Sequence, residues 1–294
     1  MAGLKEIRIR IASVATTRQI TSAMKMVAAA KLKRAQDAIL QMRPYAEKLK
    51  EIISSVSEEM EEGDKDNVYG IVRPVNKVLI VLITSNKGMC GAFNSNAIKS
   101  AIHLLHTRYA ESHQQGNVHF FAIGRKGYDF LKSKKYPVVA YHHEMLNKPS
   151  FETVQPVAQQ LMDKFVNGEY DVIELVYNQF KNAAVQVLVN EQFLPLVTEK
   201  HDHKKQRRIY FIYEPSREVI INELIPKVIQ MQFYKALLDS NAAEQGARMT
   251  AMHKATDNAT EMIRTLTLTY NKERQQSITR QILEVVNGAE ALKS

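Results

Sequence analysis

The chain has 294 residues, of which 45% are hydrophobic, so it is not an intrinsically disordered protein and has room for one or two domains. Its formal net charge of +9 at pH 7 favours an acidic partner such as nucleic acid, anionic lipid or an acidic protein surface. The single cysteine, Cys90, excludes an internal disulfide and favours a reducing cytoplasm. No apolar run reaches the length of a membrane span, and the first residues enter a helical pattern without a signal or transit segment.

A seven-residue repeat runs unbroken from residue 4 to residue 60. Such a repeat keeps one stripe of a helix against a partner helix, so it predicts a supercoiled helix of roughly 85 Å. Only Arg18, Thr21 and Lys25 interrupt the apolar stripe, and Pro44 predicts a kink. The repeat consists of Leu4, Ile7, Ile11, Val14, Arg18, Thr21, Lys25, Ala28, Leu32, Ala35, Ile39, Met42, Ala46, Leu49, Ile53, Val56 and Met60.

The charge surplus is concentrated in this first helix. Residues 1–50 hold eleven basic and three acidic side chains, a surplus of eight, and an acidic stretch follows at 58–66. A second basic cluster lies at 200–208. A basic helix indicates either an acidic partner or a solvated helix face, and the charge pattern alone leaves both open.

The middle of the chain alternates between strand and helix patterns. Gly63, Gly70 and Pro74 end the first helix and predict a linker. Val78–Thr84 is a continuous apolar run, as expected of a strand buried on both faces. This alternation predicts a mostly parallel α/β sheet. Further strands are predicted at 118–123, 138–141, 172–177, 185–189 and 209–213, and helices around 98–105 and 157–165.

A second long helix is predicted from Pro215 and Ser216 to the end of the chain. Its apolar stripe keeps the steps of three and four residues as far as Tyr270, and then changes phase. We therefore expect an antiparallel coil between the two ends of the chain, although two helices of an ordinary bundle would give a similar pattern. The stripe consists of Leu224, Val228, Met231, Lys235, Leu238, Ala242, Gln245, Met249, Met252, Thr256, Ala259, Ile263, Leu266 and Tyr270, and the later series is Ile278, Ile282, Val285, Ala289 and Leu292.

The sequence contains few candidates for catalytic, metal-binding or nucleotide-binding residues. The loop 85–91 occupies the ligand position of an α/β fold, but it matches neither a phosphate loop nor a dinucleotide fingerprint, and its glycines fit a tight turn. Cys90 has no histidine nearby in sequence to act as its base. The histidine pairs 103/106, 142/143 and 201/203 lack a cysteine or carboxylate set, so surface histidines are expected there. Neither a catalytic site nor a metal or cofactor site is predicted.

Several long motifs resemble the γ subunit of F-type ATP synthases. The segments 11–14 and 19–31 are similar to that family's N-terminal helix, and 244–252 and 255–259 to its C-terminal helix. The segment 278–289 is similar to its terminal signature, and 85–94 to its Ser-Asp-Arg-Gly-Leu-Cys-Gly turn. Together the motifs cover both ends and the middle of nearly the whole chain.

This resemblance implies a non-catalytic rotor. The expected fold is an antiparallel coiled coil of the N- and C-terminal helices flanking a central Rossmann-like, mostly parallel α/β domain. The expected domains are a helix at 1–62, a linker at 63–76, the α/β domain at 77–208, and a last strand with the C-terminal helix at 209–294. The implied partners are the hexamer of α and β subunits around the coil, and the ε subunit and membrane c-ring at the α/β domain. No nucleic acid is expected.

The resemblance also implies contact residues. We expect the interruption of the apolar stripe at Arg18, Thr21 and Lys25 to weaken the coiled coil where it meets an acidic lever of the β subunits. We expect the helix end to enter an apolar sleeve of the hexamer, the alternative being an end that packs on its own α/β domain. The loop 200–208 would approach the ring or lipid headgroups, or be solvated. The contact residues are Met24, Lys25, Lys31, Lys33 and Arg34 on the first helix, and Ile278, Thr279, Gln281, Glu284, Gly288 and Ala289 on the last.

Two positions depart from the family pattern. Gln281 stands where the family usually has Glu, and Asn86-Lys87 replaces Asp-Arg, which puts any ion pair of a carboxylate at 281 in doubt. The cysteine pair of chloroplast members is absent, so a bacterial subunit, peripheral to the cytoplasmic face of the inner membrane, is expected. Two other classes remain open: a nucleic-acid-binding coiled coil and a nucleotide-using α/β enzyme.

Overall fold

The computed structural model describes residues 2–58, 68–147, 149–196 and 217–291. The chain divides into two compact units, one formed by Met1–Ala28 with Arg248–Ser294 and the other by Ala29–Ala247. The first and last helices are long, as the seven-residue repeats predict: α1 is Ala2–Glu58 and α6 is Arg217–Ala291. Helix α1 continues through Pro44.

The larger unit contains a five-stranded sheet in the order β3-β2-β1-β4-β5. Its strands are β1 Val78–Ile83, β2 Val118–Ile123, β3 Val138–His142, β4 Val172–Phe180 and β5 Gln186–Leu194. The first four strands are parallel and β5 is antiparallel to β4, which confirms a mostly parallel sheet. Every residue of β1 is buried, as its continuous apolar run predicts for a central strand.

Alternating side chains of the strands supply two cores, one on each face of the sheet. On one face, Leu79, Val81 and Ile83 of β1 pack with apolar residues of α5 (Phe151–Val166) and α6. On the other face, Val78, Ile80 and Leu82 pack with α2 (Phe93–Thr107) and Leu131 of α4 (Arg125–Ser133). The short helix α3 (Ala110–Gln114) and a 3-10 turn at Glu144–Leu146 complete the unit. Helix α6 is therefore a core helix of the α/β domain as well as the last helix of the chain.

An ion pair between an exposed arginine and a buried glutamate anchors the end of α2 to the sheet. Glu174 on β4 is fully buried, and its Oε1 accepts hydrogen bonds of 2.6 Å from both Arg108 Nη1 and Tyr109 Oη. Burial raises the pKa of Tyr109, and the hydrogen bond to Glu174 adds to this effect. The other oxygen, Oε2, has no hydrogen-bond partner in the part of the chain that the structure describes.

Several secondary-structure elements differ from those predicted from the sequence. Strand β5 extends to Leu194 rather than ending at Val189, and α4 was not predicted because two glycines flank or interrupt its pattern. Gly124 has φ 98°, and a Cβ there would lie 2.2 Å from the Thr84 carbonyl oxygen. Gly127 lies inside α4, where a Cβ would approach Thr84 Oγ1 to 2.8 Å. The strand predicted at 209–213, the basic cluster at 200–208 and Gly63 lie outside the described residues.

The smaller unit pairs the start of α1 with the C-terminal part of α6. The buried or half-buried positions of α6 from Met252 to Tyr270 follow the predicted stripe. Thr21 Oγ1 of α1 lies 2.9 Å from Thr256 Oγ1 of α6. The predicted pairing of the first helix with the last is therefore confirmed in this unit.

Among the described residues, no helix combines the length and apolar character that a membrane crossing requires.

Candidate functional site on the terminal helices

Helix α6 shares the core of the α/β domain over its residues 225–247. Ile229, Phe233 and Leu237 are fully buried in the cluster that also holds β1 and α5, and the rings of Phe233 and Phe193 lie 5.7 Å apart. Asn241 Nδ2 donates a 3.1 Å hydrogen bond to the carbonyl oxygen of Leu146. Because protein cores are close-packed, this part of α6 cannot turn without carrying the sheet with it.

The same helix fills the place where an α/β fold binds a ligand. Ala243 and Ala247 of α6 pack with Cys90, Phe93 and Phe180 beyond the carboxyl ends of β1 and β4. Ligands of open α/β sheets bind at this edge. The hypothesis of a nucleotide site here is therefore not supported, because the chain's own helix occupies the position.

The loop after β1 binds to itself and to α4. Asn94 Oδ1 accepts a hydrogen bond of 2.9 Å from the Ser85 backbone nitrogen, and Ser85 Oγ donates one of 2.7 Å to the Lys87 carbonyl oxygen. In the first turn of α4, the Arg125 nitrogen donates to Asn86 Oδ1 and the Gly127 nitrogen to Thr84 Oγ1. These donors, which could otherwise bind phosphate, already have acceptors in the chain.

The glycines of this loop have separate roles. Gly91 has φ 59°, so it supports the expected tight turn. A Cβ at Gly88 would meet nothing closer than 3.8 Å, so the turn does not require a glycine there. Cys90 is buried and its sulfur accepts a 3.2 Å hydrogen bond from Asn94 Nδ2, an inert setting for a thiol.

The predicted surface position of the paired histidines is confirmed for His103, His106 and His143, which are exposed. His142 is half-buried and stacks on Phe121 with ring centroids 5.2 Å apart, so the expectation of a solvated histidine is wrong at this position. Burial lowers the pKa of His142. His106 faces the ring of His113 at 5.4 Å, and the pair 201/203 lies outside the described residues. Within the described ranges, no group of three or more His, Cys, Asp or Glu side chains could hold a metal ion.

The polar lapse in the α1 stripe is matched by a polar residue on α6. Thr21 is 9% exposed, and its hydroxyl meets that of Thr256 while also donating to the Arg18 carbonyl oxygen at 3.0 Å. Arg18 and Lys25 are half-buried. The lapse therefore leaves no gap at Thr21, and a buried polar pair of this kind fixes the register of two helices.

The predicted contact residues of α1 differ in exposure. Met24 and Lys25 are half-buried, whereas Lys31, Lys33 and Arg34 are exposed. Lys33 Nζ forms an exposed ion pair with Asp37 Oδ1 at 2.8 Å on the same helix. The basic character of this part of α1 is thus displayed to solvent in the isolated chain.

The predicted contact residues near the end of α6 are all exposed: Ile278, Thr279, Gln281, Glu284, Gly288 and Ala289. Their apolar neighbours are exposed as well, Ile282 by 57% and Val285 by 72%. A Cβ at Gly288 would meet nothing within 4 Å. Contiguous exposed apolar side chains mark an interaction surface.

Sequence reasoning does not identify the polar residues buried along α6. Asp239, Ser240, Glu244 and Gln245 are each less than a tenth exposed. Only Gln245 lies on the predicted stripe, and its position there is the one signal in the sequence that a polar residue is buried. The other three positions are expected to face solvent, because the stripe alone does not reveal that the sheet covers a second side of the helix.

Comparisons with known proteins agree with this arrangement. A family model described as ATP synthase matches residues 3–292. The ATP synthase gamma chain of Flavobacterium johnsoniae is 56% identical over 292 residues, which cover 99% of each chain.

Two solved structures share the fold. A chain of the central stalk and c-ring of the Tetrahymena thermophila mitochondrial ATP synthase is 28% identical, with a TM-score of 0.59, over 80% of this chain and 99% of that one. A chain of the Euglena gracilis mitochondrial ATP synthase matches in fold alone, at 18% identity and a TM-score of 0.69, over 99% of this chain and 95% of that one. With the full-length sequence match, these findings establish that the chain belongs to the family of ATP synthase γ chains.

Proposed function

We propose that the chain is the central rotor of its ATP synthase and performs no bond chemistry itself. The observation that carries the proposal is the double role of α6. Its residues 225–247 share the core of the α/β domain, and its residues 278–289 carry exposed apolar side chains. A helix built in this way passes a rotation of the α/β domain to whatever contacts its exposed end.

The proposed partners are the α and β subunits around the terminal helices, and the ε subunit and the c-ring at the α/β domain. Ion flow through the ring would turn the chain, and its asymmetric helices would bring successive β subunits through their binding states. The chain acts by contacting those states differently, which is how one protein shifts the equilibrium of another. In support, the Tetrahymena thermophila relative, which is 28% identical, belongs to an assembly of a central stalk and a c-ring.

On α1, the proposed contacts are Met24, Lys25, Lys31, Lys33 and Arg34, facing an acidic lever of the β subunits. Lys31, Lys33 and Arg34 are exposed, so their charges are accessible to a partner. Opposite charges at an interface speed encounter and fix its register more than they raise affinity.

On α6, the proposed contacts are Ile278, Thr279, Gln281, Glu284, Gly288 and Ala289, within an apolar sleeve of the hexamer. Their exposure, and that of Ile282 and Val285, supports a surface that a partner covers. Gln281 would contribute a neutral amide where the family usually places a carboxylate.

The proposed location is the cytoplasmic side of the bacterial inner membrane, where the chain is peripheral and held through the complex. The proposed domain limits are 1–62 for the first helix, 63–76 for the linker, 77–208 for the α/β domain and 209–294 for the last strand and helix. Membrane fractionation with and without the c-ring tests the location, because loss of the ring should release the chain into the soluble fraction.

Purification of the tagged chain from its own cells tests the proposal directly. We expect it to bring down the α and β subunits as a complex that hydrolyses ATP, while the chain alone has no such activity. A chain that purifies without them, or that hydrolyses ATP alone, would contradict the proposal.

Charge reversal tests the contact residues of α1. Changing Lys25, Lys31, Lys33 and Arg34 together to Glu should abolish most coupled ATP synthesis in membrane vesicles, because like charges would then face the acidic lever. The matched control changes four exposed cations of the α/β domain, Lys99, Lys132, Lys134 and Lys135, to Glu. Synthesis at the wild-type rate by the α1 variant would refute these contacts.

A further inference from the structure

Two histidines of neighbouring helices come together at the surface of the α/β domain. His106 lies in the last turn of α2 and is exposed, and His113 lies in α3 and is half-buried. Their ring centroids are 5.4 Å apart, and the ring planes are inclined at 80° to each other. The rotor function proposed above uses neither residue, so the pair is a candidate for a separate role.

The backbone between the two histidines holds them at this spacing. As α2 ends, the Arg108 nitrogen donates a 3.1 Å hydrogen bond to the Leu104 carbonyl oxygen. The His113 nitrogen donates one of 2.9 Å to the Tyr109 carbonyl oxygen. Tyr109 is itself only 4% exposed, and its hydroxyl donates to the buried Glu174. The rings are therefore carried by a part of the backbone that the core fixes, which lowers the entropy cost of binding a ligand between them.

Two imidazoles at this spacing can share one metal ion. Each neutral ring has one nitrogen that is free to accept, and imidazole is a good ligand for Zn²⁺, Cu²⁺ and Ni²⁺. A nitrogen ligand lies about 2.0–2.1 Å from Zn²⁺, so two imidazoles on one tetrahedral ion have ring centroids roughly 5 Å apart. The last torsion of a histidine side chain is broad, so small rotations can direct one nitrogen of each ring toward the same point.

The charges around the pair are compatible with a bound cation. The carboxyl end of a helix carries partial negative charge, and His106 lies in the last turn of α2. Arg108 is the cation nearest to His106 in sequence, and its Nη1 lies 2.6 Å from Glu174 Oε1, so its charge is offset. Glu111, an exposed acidic residue in the first turn of α3, adds a negative charge to the segment between the two histidines.

We propose that His106 and His113 form a surface site for a divalent transition-metal ion, whose remaining coordination positions are filled by water. In the described part of the chain no third His, Cys, Asp or Glu side chain joins the pair, so the site is open and lacks the four protein ligands of a structural zinc site. A bound ion joins the end of α2 to α3 and stabilises the folded chain by mass action. The proposal does not depend on the rotor function, because the site is complete within the chain itself.

Titration of the full chain with Zn²⁺, followed by calorimetry, tests the site. The variants are His106→Gln and His113→Gln, which each remove one ligand, and the two changes together. The matched control is His103→Gln, which removes an exposed histidine about one turn before His106 on the same helix. Circular dichroism and the thermal midpoint without metal show whether each variant is folded.

We expect each single variant to lower the affinity for one Zn²⁺ ion per chain about a hundredfold, because a second ligand on the same chain acts at a high effective concentration. The double variant should be little worse than either single variant, because losing one ring already removes the shared coordination. Excess Zn²⁺ should raise the thermal midpoint of the wild type and of His103→Gln, and should not raise that of the other variants. With Cu²⁺ as the probe, electron paramagnetic resonance should show two nitrogen ligands in the wild type and one in each single variant.

Two results would overturn the site. One is a Zn²⁺ affinity and stoichiometry in both His106→Gln and His113→Gln that match those of the wild type. The other is an equal loss of affinity in His103→Gln and His106→Gln with none in His113→Gln, which would mean that α2 alone holds the ion. Because His106 is exposed, His106→Gln decides the question even if the change at the half-buried His113 disturbs folding.

Discussion

Two regions of α6 carry apolar side chains at helical spacing and differ in what covers them. In residues 225–237, Ile229, Phe233 and Leu237 are fully buried in the core of the α/β domain. In residues 278–286, Ile282, Leu283 and Val285 are more than half exposed. The apolar side chains of the first region are covered by other residues of the same chain. Those of the second region are exposed and available to contact another protein. The comparison shows that an apolar helical stripe predicts contact but does not say with which chain.

Leucine truncation should separate the two regions most strongly. Leu237→Ala removes a fully buried side chain from the core and should cost about 2–5 kcal/mol of unfolding free energy. Leu283→Ala is the matched change at a side chain 55% exposed, and it should alter stability by less than about 0.5 kcal/mol. Urea denaturation of the two variants beside the wild type measures both values.

If the two truncations lowered the free energy of unfolding by similar amounts, the two regions would not differ in burial, because the helix end would then be packed in the isolated chain. In the complete complex, Leu283→Ala should weaken the binding of the chain to its partner subunits. The rate at which the chain is lost from the purified complex measures this weakening.

Glycine substitutions on the C-terminal side of the two regions, at Gly246 and Gly288, should change the free energy of unfolding in opposite directions. Gly246 lies where α6 crosses the turn between β4 and β5, and a Cβ there would lie 3.2 Å from the Ala183 carbonyl oxygen. Gly246→Ala should therefore cost about 1 kcal/mol or more through overpacking. Gly288 has open space around it, so Gly288→Ala should stabilise the isolated chain by up to about 1 kcal/mol, the difference in helix propensity.

The measurement is the thermal midpoint of each glycine variant, with helix content checked by circular dichroism. A stabilising Gly246→Ala would show that the helix does not approach the turn closely. A destabilising Gly288→Ala in the isolated chain would place the helix end against other residues.

The parts of the fold that follow from local periodicity could be predicted from the sequence. The α1 stripe gives Leu32 and Ala35 as seam residues, and both are buried. The central strand β1 follows from its unbroken apolar run, which is buried throughout. These patterns are reliable because a helix or strand repeats its orientation every few residues, so a covered side appears as a period.

Features that depend on tertiary contact could not be predicted. Helix α4 contains Gly127, which reads as a breaker but is required because Thr84 lies against it. Asp239 lies beside the seam residue Leu238 and reads as a solvent-facing residue, yet the sheet covers that side of the helix. The exposed contact residues from Ile278 to Ala289 follow from resemblance and not from periodicity, because a stripe looks the same whether its partner is in the same chain or another.

The smallest expected effect is a pH dependence that separates two aspartates of α6. Asp239 is buried and its pKa is raised above the ordinary value of 3.8, whereas Asp257 has an exposed side chain. The folded chain therefore holds the Asp239 proton more tightly than the unfolded chain does. The stability that this proton contributes is fully present below pH 3.8. It is lost as the pH rises through the raised pKa of Asp239 in the folded chain.

Asp239→Asn cannot lose that contribution, so its stability relative to the wild type should rise as the pH is raised above about 4. Thermal midpoints of the two chains across this range give the profile. The profile of Asp257→Asn, subtracted from it, removes the general effect of taking one negative charge from the helix. If the two variants give the same profile, the carboxylate of Asp239 is solvated, and α6 is not enclosed on all sides where it leaves the sheet.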